Sequence, residues 1–484
     1  MPNCAPRVLR TAAQGGAALL LSITTLLACA KPDTAKQTDS SATATVNGST
    51  TAAASSACPG NNAGLSLPTG FCATIFADSI GHARHVVVAP NGTIYVNTWS
   101  GRYYQTPAHE GGFLVALRDT NNDGRADVIA RFGRTSAPAP KAPAPTAAST
   151  GPASEKSGAG GTGIALYKNY LYAEEGSTIV RYALSNDSPS LAPKAEVVVS
   201  ALPLSGDHPM HPLVIDSSGN LFMDSGSATN SCQTKNRSLE SPGNKPCTEL
   251  QMRGGIWRFD ANKLNQTFAS SNRYATGIRN AVGIALAPDG SIYSTQHGRD
   301  QLVENWPRLY SAEQGQNLPG EELLHIEQGA DYGWPMCYFD NTQQKLVLGP
   351  EYGGDGGKSV GGCGSKTGPV AFFPAHWAPD GLVFYTGAAF PERYRGGAFI
   401  AFHGSWNRAP GPQGGYQVAF IPFSGGRPAS ASGFEKFADG FAEGKLQPDA
   451  AAHRPMGLAQ GPDGSLYITD DKAGRVWRVM YGGK

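Results

Sequence analysis

One phrase recurs along the chain: an apolar run, a polar turn that in most copies carries glycine, and a second run in which apolar and polar residues alternate. It reads Val86-Val87-Val88-Ala89-Pro90-Asn91-Gly92-Thr93-Ile94-Tyr95-Val96, then Ile164 to Ala173, then Leu213 to Met223 around Ser218-Gly219. The clearest copies run from Val282 to Ser294 about Pro288-Asp289-Gly290 and from Met456 to Thr469 about Pro462-Asp463-Gly464. A degenerate copy is Leu382-Val383-Phe384-Tyr385, returning at Ala398 to Phe402. Each copy predicts a β-hairpin. The Asn-Gly or Asp-Gly step supplies the positive φ of a tight turn, and the flanking alternation buries one face of the ribbon. A third strand follows in places, as at Ser177 to Tyr182 and Gly474 to Val479. Six such units predict an all-β fold, a six-bladed β-propeller of four-stranded antiparallel blades, with long loops where the copies lie far apart.

Composition narrows the picture. The 484 residues include 61 Gly and 35 Pro, too many helix breakers for a helical bundle. With 40% hydrophobic and 16% charged residues the chain can build a large core. A net charge of +1 gives no electrostatic footprint for nucleic acid.

The first residues read as an address. Arg7 and Arg10 precede the apolar stretch Ala17 to Leu27, too short for a permanent membrane span. Leu26-Leu27-Ala28-Cys29 resembles a bacterial lipobox, so residues 1–28 are expected to be a lipoprotein signal peptide and Cys29 the lipid-bearing residue. Residues 29–57 read as a disordered Ala/Ser/Thr tether, and 58–484 as the propeller domain with a flexible Pro/Ala-rich insertion at 134–160. The expected location is the bacterial cell envelope, lipid-anchored and facing the periplasm. In such an oxidising compartment the remaining six cysteines fall into three local couples, Cys58–Cys72, Cys232–Cys247 and Cys337–Cys363, expected as disulfides. Zinc is the rival, but no Cys-x-x-Cys spacing occurs.

Propellers hold ligands over the central channel, so chemistry should cluster just before the first strand of a repeat or just after its second. Asp207-His208 precedes the third repeat, and a histidine beside a carboxylate can act as a base near neutral pH. Arg279-Asn280 precedes the fourth, offering a guanidinium fork and an amide. Gln296-His297-Gly298-Arg299-Asp300 follows the same hairpin, with Glu321-Glu322 beyond, and carboxylates in a Gly-containing loop suit calcium. Taken singly, the histidine and the Arg279-Asn280 pair read first as ordinary satisfied loop residues, and the carboxylates as solvated turn charges or calcium ligands. Asp119-x-Asn121-x-Asp123-Gly124 copies half of a calcium loop, but position 12 is Ala130, so Asp119 to Asp127 is read as a hairpin turn, with a bound ion as the alternative.

Together these segments carry a resemblance. Arg279-Asn280 before a Pro-Asp-Gly hairpin, the His-Gly-Arg-Asp loop, Glu321-Glu322-Leu323 and Asp331-Tyr332-Gly333-Trp334-Pro335 resemble the soluble quinoprotein sugar dehydrogenases. Phe384 to Gly387 and His403-Gly404-Ser405-Trp406-Asn407-Arg408 are similar to the sorbosone dehydrogenase-like branch, and the likeness runs over about residues 65–482. It implies a six-bladed propeller binding pyrroloquinoline quinone (PQQ) over calcium and oxidising a sugar, polyol or sugar aldehyde. It also implies roles: His208 as base with Asp207 orienting it, Arg279 and Asn280 on the cofactor, and Arg454 clamping a cofactor carboxylate. The main-chain carbonyls of Gly298 and Arg299 would bind calcium, with Asp300 and Glu321 close by. The chain departs from the glucose-oxidising branch at Met456, where a second clamp arginine is expected, and at Thr162, near the place of a cofactor-contacting glutamine. It departs again at His403, where a lysine is expected and Arg408 is the substitute, and at His211, where relatives often carry arginine. Electrons would pass to a membrane quinone or a cytochrome, since no Cys-x-x-Cys-His haem site occurs. The alternatives are a calcium-dependent lactonase, or a carbohydrate- or protein-binding propeller whose quinone pocket has decayed.

Overall fold

The computed structural model describes residues 60–100, 104, 106, 109–134, 159–185, 194–408 and 410–482. The expected signal peptide, tether, lipid-bearing Cys29 and Cys58 lie outside these residues, as does nearly all of the insertion. Six antiparallel sheets follow one another along the chain. Blade 1 is Ala83–Val88, Ile94–Thr98, Leu114–Arg118 and Val128–Phe132; blade 2 is Ile164–Tyr167, Tyr170–Glu175, Thr178–Ala183 and Glu196–Ser200. Blade 3 is Leu213–Ile215, Asn220–Ser225, Gly255–Asp260 and Arg273–Thr276; blade 4 is Ile284–Leu286, Ile292–Gln296, Glu321–Ile326 and Ala371–Phe373. Blade 5 is Pro379–Phe384, Ala398–Phe402, Gln417–Ile421 and Glu435–Ala438. Blade 6 takes Pro455–Gln460, Leu466–Asp470 and Val476–Tyr481 from the end of the chain and its outer strand, Phe71–Ala77, from the beginning, with Phe71 paired to Tyr481. That pairing closes the ring. The expected propeller is therefore present, with additions: Gln266–Thr267 adds a short parallel fifth strand to blade 2, and two small hairpins, Cys337–Asp340 with Lys345–Leu348 and Phe423–Ser424 with Arg427–Pro428, stand outside the blades.

The turns form for the reason the sequence suggests. In the first repeat Asn91 Oδ1 accepts from Thr93 N at 3.0 Å, and Gly92 takes φ 81°, a region closed to most side chains. Asp289 and Asp463 do the same before Gly290 and Gly464. The inner strands contact each other in ring order, and an apolar cluster fills each gap between neighbouring blades. The gap between blades 5 and 6 is aromatic, with Phe71, Tyr385, Phe390, Tyr394, Phe399, Phe437 and Trp477 packed together and Phe71 meeting its neighbours edge to face. Asp119 to Asp127 is the turn joining the third and fourth strands of blade 1, where Asp119 Oδ2 accepts from Gly124 N at 2.8 Å and Asp127 Oδ1 from Thr120 N at 2.9 Å.

Cys232–Cys247 and Cys337–Cys363 are bonded as expected, and Cys72 is disulfide-bonded as well. Cys232–Cys247 closes a loop of 15 residues beside the site described next. Replacing both cysteines with serine is expected to cost about 3 kcal/mol, seen as a lower urea midpoint at nearly constant slope.

Candidate active site

The first and second strands of a blade run in opposite directions, so residues entering the first and leaving the second meet at one end of the channel. There they line a cavity of about 500 Å³, within the range of small-molecule sites. Arg84 comes from the first strand of blade 1, Asp207 and His208 from the loop before blade 3, and Arg279 and Asn280 from the loop before blade 4. His297, Gly298 and Asp300 leave the second strand of blade 4, and Glu321 opens its third. Asp380 and His403 come from blade 5, and Arg454 enters blade 6.

His208 is buried, and its Nδ1 lies 3.0 Å from both the carbonyl and the hydroxyl of Ser227. Donation from Nδ1 to the carbonyl fixes the tautomer and leaves Nε2 with its lone pair. Burial, then the charges of Arg279 and Arg237, push the imidazole well below its usual value, so it is a neutral base. Gly226 makes room for it, since a Cβ there would come within 2.6 Å of His208 Cβ. The orienting task thus falls to Ser227 rather than to Asp207, whose Oδ2 accepts from Arg237 Nε at 3.0 Å.

Arg279 is almost fully engaged: Nε and Nη2 reach the Asn230 carbonyl and Oδ1 at 3.0 Å, Nη1 the Gly298 carbonyl at 2.9 Å, and Nη2 also Asp300 Oδ2 at 2.8 Å. Asp300 accepts further from Arg237 Nη2 at 3.0 Å and Asn407 Nδ2 at 2.8 Å. Burial works to raise its pKa, but Arg279 and Arg237 outweigh that and hold it below the ordinary carboxylate range. Glu321 is raised by burial, and its two oxygens accept from Gly298 N at 2.8 Å and Ala378 N at 3.1 Å. Its neighbour Glu322, buried against Gln296 Nε2 at 2.8 Å, is pushed up to about 8 by burial.

Across the cavity runs a chain of buried and half-buried ionisable groups. Arg84 Nη1 reaches Asp471 Oδ2 at 2.7 Å, and His403 Nε2 reaches Asp471 Oδ1 at 2.7 Å. The other ring nitrogen of His403 lies 3.7 Å from Asp380 Oδ2, and Asp380 Oδ1 lies 2.8 Å from His297 Nε2. Burial opposes charge on His297, yet the Asp380 carboxylate prevails and raises it. Arg454 donates to the carbonyls of His403 at 2.9 Å and Gly404 at 2.6 Å and forms no ion pair among the described residues.

Two of the expected site residues, Thr162 and Arg408, lie elsewhere, and of Arg299, expected to act through its main-chain carbonyl, the side chain turns away. Thr162 is fully buried, and its hydroxyl accepts from Arg84 Nε at 3.1 Å, so it supports the cavity without lining it. The Arg299 side chain pairs with buried Glu351. Arg408 opens into a second cavity, where its Nη2 meets Asn317 Oδ1 at 2.9 Å. Met456 is buried in the first strand of blade 6. Conversely, sequence reasoning misses Arg84, Tyr104, Arg237, Asp380 and Asp471, although Asp471 holds the same position after its hairpin glycine, Gly464, as His297 does after Gly290.

The donor set fits a polyanion with an N–H. Arg84 Nη2 and Asn280 Oδ1 are buried without a partner, an expensive state unless a ligand completes them. PQQ, with three carboxylates and a pyrrole N–H, offers acceptors to the guanidinium groups and a donor to the amide. For a hard cation the Gly298 carbonyl has a second lone pair and Glu321 supplies a carboxylate, whereas Asp300 is spent on two arginines.

The comparisons with known proteins agree with this architecture. The TrAA12-like family matches residues 152–482. An uncharacterised protein of Borreliella burgdorferi is 31% identical over 211 residues, which is 43% of this chain and 48% of that one. A pyrroloquinoline quinone-dependent pyranose dehydrogenase of Coprinopsis cinerea is 27% identical over 238 residues, 42% of this chain and 30% of that one. The chain thus aligns with half or less of the length of these curated relatives. Among solved structures, an iodide structure of the Trichoderma reesei carbohydrate-active enzyme family AA12 superposes with a TM-score of 0.65 at 19% identity, covering 86% of this chain and 98% of that one. The holo PQQ domain of Coprinopsis cinerea pyranose dehydrogenase gives a TM-score of 0.65 at 18% identity, with 86% and 97% covered. These structural likenesses speak for the fold. The match over residues 152–482 decides the family, and the chain belongs to the TrAA12-like family.

Proposed function

We propose that the chain is a PQQ- and calcium-dependent dehydrogenase that oxidises a hydroxyl of a sugar, a polyol or a sorbosone-like sugar aldehyde. The observation that carries this reading is the pair of orphaned polar atoms, Arg84 Nη2 and Asn280 Oδ1, on the wall of a cavity that also holds a neutral, tautomer-fixed histidine. The name of the Coprinopsis relative and the family match support it.

Arg84, Asn280 and Arg454 would hold the cofactor, and the Gly298 and Arg299 carbonyls with Glu321 the calcium ion. Bound there, the quinone supplies a hydride-accepting carbon, made more electrophilic by the cation. His208 Nε2 takes the substrate hydroxyl proton, and the Ser227 carbonyl steadies the imidazolium formed through Nδ1–H. The Arg279–Asp300–Arg237 cluster keeps the loops before blade 3 and after the second strand of blade 4 in register. A membrane quinone or cytochrome as electron acceptor, the lipid anchor at Cys29 and an envelope location belong to the same proposal.

The test is titration of the purified chain with PQQ in excess calcium, followed by absorbance, with dye reduction over aldoses, polyols and sorbosone. Saturable binding with turnover is expected, and absence of binding overturns the reading. Arg84→Lys retains a cation for Asp471 but removes the second Nη, so PQQ affinity is expected to fall about ten- to a hundred-fold.

A further inference from the structure

We propose that the second cavity, which the outer strands of blades 4 and 5 help to wall, is a binding site for an aromatic carboxylate. The Arg408 guanidinium takes the carboxylate, and the rings of Phe372 and Phe434 hold the flat apolar body. This goes beyond the dehydrogenase reading and does not rest on it, because the two cavities share no lining residue.

The cavity encloses about 420 Å³, within the range of small-molecule sites. Arg408 is the charged residue of its lining, and it is half-buried. Among the described residues its guanidinium makes one hydrogen bond, from Nη2 to Asn317 Oδ1 at 2.9 Å, and no ion pair. Burial lowers its pKa with no carboxylate to offset the cost. Arg237 is half-buried too, but Asp300 and Asp207 pair with it and raise it. A cation held in a cavity without a counter-charge is the complement of an anion, and a planar guanidinium fork matches a carboxylate.

The apolar part of the lining gives that anion a body. Phe372 belongs to the fourth strand of blade 4, and Phe434 directly precedes the fourth strand of blade 5. Both are half-buried, so part of each ring stays open, and other rings brace them from behind. Phe372 packs on Phe339 with ring centres 5.3 Å apart, and Phe434 meets Phe373 at 5.3 Å and Trp377 at 5.9 Å, both edge to face. These contacts hold the rings themselves, so little side-chain entropy is lost when a flat ligand arrives. Pro374 and Ala375 add apolar surface beside them.

The two features select together. An inorganic anion would use the guanidinium and leave the rings idle, and a neutral arene would use the rings and leave the charge unpaired. A carboxylate on a flat ring satisfies both.

The experiment is calorimetric titration of the purified, cofactor-free chain with benzoate and 2-naphthoate, against acetate, phosphate and benzamide. Both aromatic carboxylates are expected to bind saturably, and the other three at least about ten-fold more weakly. Arg408→Gln is expected to weaken benzoate binding about ten- to a hundred-fold, with Arg408→Lys falling in between and both melting temperatures close to wild type. Phe434→Ala is expected to weaken it about ten-fold. Saturating PQQ and calcium should leave benzoate affinity unchanged. Absence of saturable binding overturns the proposal. Equal affinity for acetate or phosphate overturns it as well, since the rings then contribute nothing, and so does equal affinity for benzamide, since the charge then contributes nothing. Binding that survives Arg408→Gln, or that PQQ displaces, places the probe in the central cavity and also overturns it. If PQQ itself does not bind, the dehydrogenase reading fails, and the Arg408→Gln comparison alone decides this one.

Discussion

His208→Ala is expected to lower kcat by about 10²- to 10⁴-fold, the usual range for a positioned general base, while PQQ affinity and the urea midpoint stay close to wild type. The argument is geometric before it is electrostatic. Ser227 fixes the ring through Nδ1, so Nε2 is the nitrogen that accepts a proton in the cavity. The pH dependence has a definite sign. Burial, with Arg279 and Arg237, holds the imidazole well below its ordinary 6.5, so the proton-free base persists below pH 6.5 and activity is lost only as pH falls through the depressed value. The acid limb of the rate profile should therefore lie clearly below that of an ordinary histidine. Arg237→Gln removes one of the two opposing charges and should move the limb upward. An acid limb at 6.5 or above in wild type would show that the cation field described here does not act on the base. A fall of less than ten-fold in His208→Ala would assign the proton to another group.

Much of this geometry is legible in the sequence, and the reason is local. A Pro-Asp-Gly step between apolar runs dictates a hairpin from a few consecutive residues, so the repeats at 282–294 and 456–469 announce their blades unaided. The same rule that places chemistry at strand ends leads to His208, Arg279, Asn280, Gly298 and Arg454, all of which line the cavity. What stays hidden is what ring closure creates. Arg84 and Asp471 are 387 residues apart and share an ion pair, a contact that exists because the first and last strands complete one blade. Asp207 and His208 are adjacent in sequence yet turn to different partners, Arg237 and Ser227. Thr162 stands near the place of a cofactor-contacting residue in its repeat, but it sits one layer back, accepting from the guanidinium that does reach the cavity. Arg408 and Trp406 are two residues apart, and the wrapping of their loop sends them to different cavities.

Asp471→Asn is expected to destabilise the fold by about 3–5 kcal/mol, because removing one partner leaves the other charge buried and uncompensated. Asp471 is 1% exposed and accepts from Arg84, His403 and Tyr104. Burial alone would raise its pKa, but His403 and Arg84 reverse that and hold the carboxyl far below its usual 3.8. A carboxylate depressed by folding contributes fully above its unfolded value, and the contribution fades as pH falls toward the folded one. The stability gap between wild type and Asp471→Asn should therefore be flat from about pH 5 to 7 and narrow below about 4. A gap that is absent at neutral pH would mean the cluster is open to water. The double variant Arg84→Met/Asp471→Asn separates the two roles of the pair. With both charges gone, most of the lost stability should return, since replacing a buried pair by neutral groups of similar size is often close to neutral. PQQ affinity should not return, because the guanidinium that carried the orphaned Nη2 has gone with the charge. Recovery of both together would make the arginine a purely structural residue and move cofactor recognition to Arg454 and Asn280.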